Sequence, residues 1–435
     1  MKTHNKRHLP NLLLQTFPVL AILQFSVAFA YSAIQSPGSA GLPITENDWP
    51  WWRGVHRNGH AVTEQAPLTW SANQNIAWKT EIPGRGHSSP TVVGDRIFLA
   101  TALEDEKTQW VLCFDRESGK NLWSREVHSG GWEGRIHKRN TQASSTIASD
   151  GERLFATFMY KAAIWVSALG FDGELLWQKR LGDFVSHWGY SSSPVIYDSL
   201  VIIAADHKGG GKITGLDRKT GKSVWVTPRP AIPTYASPII YHLAGRDQLF
   251  LPGCDMIASY DPATGKSIWS AEGTTTEVIG SVVTDGDRVF ASGGYPKSIT
   301  SGFRADGSRE LAWTDPTKVY APSLITVDGY LYTMTDNGIA YCWNAESGKR
   351  MWRQKVGDTF SASPVLVNDR LYVCSEQGKT VVFKANPERF ELLAENHLGD
   401  ESWASPVICS NSVFLRVAHH SGDVRQEYLY CISEG

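Results

Sequence analysis

Short apolar runs rich in Val, Ile, Tyr and Phe alternate with polar turns along almost the whole chain beyond residue 75. Runs of this kind, bounded by Gly, Asp and Asn, read as β-strands. No helical periodicity of useful length occurs after Ala30. The pattern also repeats. Each copy opens on a Ser/Ala-Pro-type entry and passes through two apolar strands split by a tight turn. A third strand, a Thr/Ser-Gly-Lys turn and a strand carrying Trp complete it. Phe114 to Trp123 and Leu216 to Trp225 show the second half most clearly, and Tyr260 to Trp269 and Trp343 to Trp352 keep its spacing. Looser copies end at Trp177 and Trp313, and the copy near Phe390–Leu393 has lost its Trp. Asp, Ser/Thr and Gly at fixed offsets supply an Asx-type bond and a residue free to take positive φ, as a short β-turn requires. The first hairpin of each copy has its own turn signal, as in Val93-Gly94-Asp95, Asp285-Gly286 and Asp328-Gly329.

Copies recur about every 40 to 50 residues, the spacing of propeller blades. Eight start near Ser88, Ser144, Ser191, Ala236, Ile279, Ala321, Ser361 and Trp403. The last stops at Tyr428–Ile432 without a fourth strand, while Ile76–Gly84 imitates Trp352–Asp358 before the first complete copy. The predicted fold is therefore all-β: an eight-bladed β-propeller of four-stranded antiparallel blades over 76–435, closed by an N-terminal strand that completes the last blade. An open solenoid would leave unpaired edges at both ends.

Upstream, residues 1–30 read as a signal peptide, with Lys2, Lys6 and Arg7 before the apolar run Leu12–Ala30 and Ala28-Phe29-Ala30 as the cleavage site. The apolar length also suits an uncleaved anchor. The first cysteine is Cys113. The expectation is an exported protein, periplasmic or extracellular, that is not a lipoprotein and has no transmembrane segment in its mature chain. Residues 31–75 combine a linker-like Ser32–Gly41 with the Trp-rich Asp48–Gly54, expected to pack against the propeller.

Composition narrows the function. A net charge of -2 without a basic stretch gives no footprint for nucleic acid. None of the 6 cysteines forms a Cys-x-x-Cys pair, which argues against structural zinc. Buried small hydrophobes are their expected role, and the chain is expected to be a monomer.

The Asp-x-x-Thr-Gly-Lys-x-x-Trp turn, as in Asp217–Trp225, resembles the pyrroloquinoline-quinone (PQQ) repeat of quinoprotein dehydrogenases. It is equally similar to the eight-bladed scaffold subunit of the bacterial outer-membrane barrel assembly machinery, and the resemblance covers about residues 76–433. In that family the outer-strand Trp docks between neighbouring blades, which implies structural roles for Trp78, Trp123, Trp177, Trp225, Trp269, Trp313 and Trp352. Its enzymes use a calcium site of Glu, Asn and Asp, a catalytic Asp and a Trp stacked under the quinone. Alcohol-oxidising members also carry two adjacent, mutually bonded cysteines. This chain has no adjacent cysteines, and no such calcium trio can be placed by motif. The expected function is a non-catalytic cell-envelope scaffold or binding propeller, without cofactor, that engages a protein or glycan partner. The alternative is a PQQ- and calcium-dependent dehydrogenase acting on alcohols or sugars.

One face is the candidate site, because function sits on loops held by a rigid scaffold. It carries the loops entering the inner strands and those between second and third strands. It would gather His87, His128, His137, His187, His207, His397, His419 and His420, with Trp188, Tyr190, Tyr235, Tyr320, Phe360 and Trp403 just before inner strands. The longest entry loop, Val127–Ala143, adds Trp132, Glu133, Arg135, Lys138, Arg139 and Asn140, and the Gly-rich 206–211 projects beside it as a segment free to move. The ligand- or partner-binding candidates are His87, Trp132, Arg135, His137, Asn140, His187, Trp188, Tyr190, His207, Tyr235, Tyr320, Phe360, Trp403 and His419. Loop packing is the competing role for all of them. No metal site is expected, because His419 and His420 would point opposite ways on a strand and no His-x-His spacing occurs. No catalytic residue is expected either, because the entry serines recur in most copies whereas a nucleophile is singular.

Overall fold

The computed structural model describes Met1 and residues 44–132 and 136–434. The chain divides into two compact units, 1–33, of which only Met1 is described, and 34–435, which holds everything that follows. The signal-peptide expectation thus lies outside the described residues.

All named strands fall into eight four-stranded antiparallel sheets, and no helix occurs among the described residues. In blades 1 to 7 the strands follow chain order from the channel outward. Blade 1, for example, is Thr91–Val93, Arg96–Leu103, Thr108–Asp115 and Asn121–His128. Blades 2 to 7 occupy 148–183, 195–229, 239–272, 283–315, 325–355 and 365–397. Blade 8 takes three strands from 407–432 and its outermost from Ile76–Ile82, with Thr80 opposite Leu429 and Ile82 opposite Glu427. This pairing gives the last sheet a complete outer edge.

Local chemistry explains the repeat. Asp217 Oδ1 accepts the Thr220 amide at 2.8 Å and its hydroxyl at 2.7 Å, and Asp115 and Asp261 hold Ser118 and Thr264 in the same way. Gly221 takes φ +69° in that turn, and a Cβ there would stand 2.6 Å from the Trp177 ring of the preceding blade. Glycine is required twice over, for the turn and for the indole seated on it.

The indole N–H groups of Trp78, Trp123, Trp177, Trp313 and Trp352 donate to the carbonyls of Arg116, Phe171, Arg218, Ala345 and Asn386 in the following blade, at 2.8 to 3.1 Å. Two members of the series differ. Trp225 lies against Gly265 with no acceptor for its N–H. Trp269 donates to Gln248 Oε1 at 2.9 Å, and Gln248 Nε2 donates in turn to Ala305 O at 3.1 Å, so an amide relays the contact to the next blade.

The recurring entry hydroxyls form a belt. The amides of Ser89, Thr146 and Ser193 donate to the hydroxyls of Thr146, Ser193 and Ser237 at 2.9 to 3.2 Å. Those of Ser281, Ser323 and Ser363 donate to Ser323, Ser363 and Ser405 at 2.8 to 3.0 Å. Each bond crosses a blade boundary and satisfies a buried amide.

The Trp-rich segment runs through the middle of the ring. Trp49 pairs with Val92 of blade 1, and Pro50 O accepts the Ser149 amide of blade 2. Arg57 donates to Ile196 O at 2.8 Å, and Tyr241 OH donates to Arg57 O at 3.0 Å. Trp52 Nε1 reaches Ser281 Oγ at 2.9 Å, and Arg53 holds Leu324 O and Pro364 O at 3.0 and 2.9 Å. Residues 49–57 therefore contact blades 1 through 7 between them, which places this segment on the axis of the ring, against the inner strands.

A buried ion pair joins blade 8 to blade 1. Arg416 binds Glu427 through Nε and Nη2 at 2.7 and 2.6 Å, and its Nη1 donates to Ala100 O at 2.7 Å. Both side chains are 2% exposed. All 6 cysteines are free and buried.

Candidate functional site

The entry face is dominated by the loop between blades 1 and 2. Its described tip, Ile136–Asn140, reaches both sides of the channel mouth. On one side Asn140 Nδ2 donates to Trp188 O at 2.6 Å, and the His137 ring lies 4.1 Å from the Trp188 ring. On the other, Arg139 forms an ion pair with Glu376, donates to Ser361 Oγ at 3.3 Å and sits 5.7 Å from the Trp403 ring. Trp188 leads into blade 3, whereas Ser361 and Glu376 belong to blade 7, four places round the ring. Adjacent residues gripping opposite blades put this tip across the mouth. Glu376 is well held, since Ser361 Oγ donates to it at 2.6 Å and Thr359 Oγ1 at 3.2 Å. His87 stacks on Trp403 at 4.8 Å, and burial, then the neighbouring arginines, push its pKa well below the usual imidazole value. Burial and the adjacent Arg139 and Lys138 lower His137 as well.

Several candidates lie under the face rather than on it. Tyr190 and Phe360 are core side chains, and Tyr190 OH donates to Ala204 O at 3.0 Å. Tyr235 is buried with its hydroxyl 3.1 Å from Ser186 Oγ. His207 is buried too, its Nδ1 accepting the Val185 and Gly209 amides at 3.2 and 3.1 Å. The cause is common to all four: each precedes or follows a strand end, where the chain turns inward and the apolar ring fills the gap between blades. The Gly-rich loop is anchored at its start by the buried pair Asp206–Arg229 at 2.7 Å.

The remaining candidates are dispersed. Tyr320 donates to Glu277 Oε2 at 3.0 Å, beside a cleft of about 360 Å³ between blades 5 and 6 lined by Lys318, Asp336 and Arg350. Trp132 lines a separate cleft of about 240 Å³ with Lys107 and Lys161. His419 sits at the far end of the second strand of blade 8, 2.7 Å from Tyr430 OH. His187 and Trp188 are exposed. Arg135, with Glu133, lies outside the described residues. Glu376 was not among the candidates, although Thr335-Asp336-Asn337-Gly338 and Ser375-Glu376-Gln377-Gly378 repeat a carboxylate at one turn position.

His128 is 5% exposed, stacked on Tyr160 at 4.5 Å and edge-on to Phe158 and Trp165. Burial lowers its pKa to about 4. The unfolded chain regains a value of about 6.5, so between the two the unfolded state binds more protons and stability falls as pH falls. Urea midpoints at neutral and mildly acidic pH should show this loss reduced by about 2 kcal/mol in His128→Phe. An unchanged pH slope would place the imidazole in water.

Known proteins resemble the chain over most of its length. A family model described as "Outer membrane protein assembly factor BamB" matches residues 53–129, 107–354 and 324–389. The outer membrane protein assembly factor BamB of Yersinia pestis is 20% identical over 341 residues, covering 75% of this chain and 72% of the relative. Among solved structures, BamB from Moraxella catarrhalis superimposes with a TM-score of 0.59 at 14% identity, over 81% of this chain and 96% of that one. A europium-containing methanol dehydrogenase superimposes with a TM-score of 0.67 at 11% identity, over 90% and 98%. At these identities the structural matches speak to fold alone.

Proposed function

Because the chain belongs to the outer membrane protein assembly factor BamB family, we propose that it is a non-catalytic, cofactor-free scaffold of the cell envelope. It is exported, acts as a monomer and binds a protein or glycan partner through its entry face. The observation that carries this reading is the loop tip clamped across the channel mouth by Arg139 and Glu376. An enzyme built on this fold needs an open funnel with a singular reactive set beneath it. Here the mouth is spanned, and the repeated serines are used in the blade-to-blade belt.

A PQQ and calcium centre is the alternative. Against it, no group of three His, Cys, Asp or Glu among the described residues is placed to hold a metal, and the cysteines are free. The likeness to a methanol dehydrogenase favours the alternative by fold only. A titration of the purified protein with PQQ and Ca²⁺, following tryptophan fluorescence and dye-linked alcohol oxidation, separates the two. The expected result is neither saturable quenching nor turnover. Saturable quenching with turnover would make the protein a dehydrogenase.

A further inference from the structure

With the mouth spanned, the accessible part of the entry face lies off the axis, over blades 2 and 3. There Val185 and Trp188 are 51% and 40% exposed, large for apolar side chains on one short loop. Three segments are tied together at this point. Asn140 holds the Trp188 carbonyl, His137 abuts its ring, and Lys208 N donates to Val185 O at 3.2 Å. Within 136–140, 184–190 and 206–212 the single acidic residue is Asp206, which is buried against Arg229. Lys138 and Lys208 form no ion pair among the described residues and are exposed, and Lys212 Nζ is spent on the Leu181 carbonyl at 2.6 Å. The patch is thus a pair of exposed apolar side chains flanked by Lys138 and Lys208, while Asp183, the exposed acid at its edge, is held in an ion pair by Arg180.

We propose that this patch docks an acidic protein segment that presents an apolar side chain to Trp188 and Val185. The proposal rests on the scaffold reading and names the partner chemistry of its entry face. An exposed Trp beside an aliphatic side chain is the composition of a binding hot spot, and the lysines supply steering and register. Against a glycan, the planar amide beside the ring is already committed. The Asn140 amide is already used on Trp188 O, and its oxygen receives the Thr141 amide at 2.8 Å. An anionic membrane surface requires clusters of about 4–8 basic residues, more than this patch offers.

The test uses the full chain and a fluorescein-labelled peptide of alternating Asp and Glu around a central Phe-Leu pair. Controls are the same peptide with Asn and Gln for the acids, and phosphatidylglycerol vesicles. Anisotropy should show salt-sensitive binding of the acidic peptide alone. Binding should weaken about tenfold in Trp188→Ala and again in Lys138→Glu/Lys208→Glu, with Tm unchanged in the lysine variant because both of its side chains are exposed. Equal binding of acidic and amide peptides, or variants that bind as the parent does, would overturn the proposal. Patch-dependent binding to vesicles without peptide binding would overturn it in favour of a lipid surface. These outcomes leave the scaffold reading intact, whereas turnover with PQQ removes that reading whatever the peptide does.

Discussion

Arg416→Met is expected to lower the free energy of unfolding by about 3 kcal/mol, the lower end of the loss associated with breaking one side of a buried ion pair. The substitution leaves Glu427 with Arg425 Nη1, at 2.8 Å from its other oxygen, as its remaining cation, in a site where Arg416 and Glu427 are 2% exposed, and it removes the bond to the Ala100 carbonyl of blade 1. Part of the loss comes from the half-compensated carboxylate, so Arg416→Met/Glu427→Leu should recover part of it, with Arg425 keeping Glu401 at 3.0 Å. Urea unfolding of the three proteins checks both parts. A single variant within about 1 kcal/mol of the parent would mean that solvent reaches the pair.

Trp51→Ala should cost a similar amount, about 3–5 kcal/mol, as expected for removing a large buried aromatic. The Trp51 ring is 2% exposed, packs with Ala148, Phe155, Ile196 and Val201 of blades 2 and 3, and lies 4.3 Å below the Arg57 guanidinium. Its loss opens a cavity beneath a buried cation, whose Nε and Nη1 already lack a protein acceptor. Thermal unfolding should remain a single transition while its midpoint drops. A second, separate transition would show that the channel segment melts independently of the ring.

The blades were legible because their determinants are local and repeated. The Asp217-to-Trp225 turn carries its own hydrogen bonds within four residues, and three further copies keep its spacing. Closure by Ile76–Ile82 could be read because a strand resembling Trp352–Asp358 stood alone at the opposite end of the chain. The channel segment was not readable beyond its aromatic content. Arg53 and Arg57 are held by main-chain carbonyls of Leu324, Pro364 and Ile196, groups that every residue has and no sequence pattern marks. The face was half legible for a related reason. Strand alternation sets whether a side chain points inward, but it lapses at strand ends, so Tyr190 and Trp188 look alike in sequence while one is buried and the other exposed. The Arg139–Glu376 clamp joins residues on blades brought opposite each other only by ring closure.

The placement of Ile76–Ile82 and residues 49–57 also constrains the order of assembly. The part of the chain synthesised first makes contacts that cannot all exist until the last has been delivered, because Ile76 lies opposite Ile432. Blades 1 to 7 complete their own sheets from consecutive strands, while the leading strand stays unpaired until blade 8 follows, a long-range pairing that forms slowly. A ribosome or export channel that stalls before residue 432 leaves a chain with two unpaired flanks. Such a product is open to proteases and chaperones, whereas the completed ring presents no unfinished sheet for them to grasp.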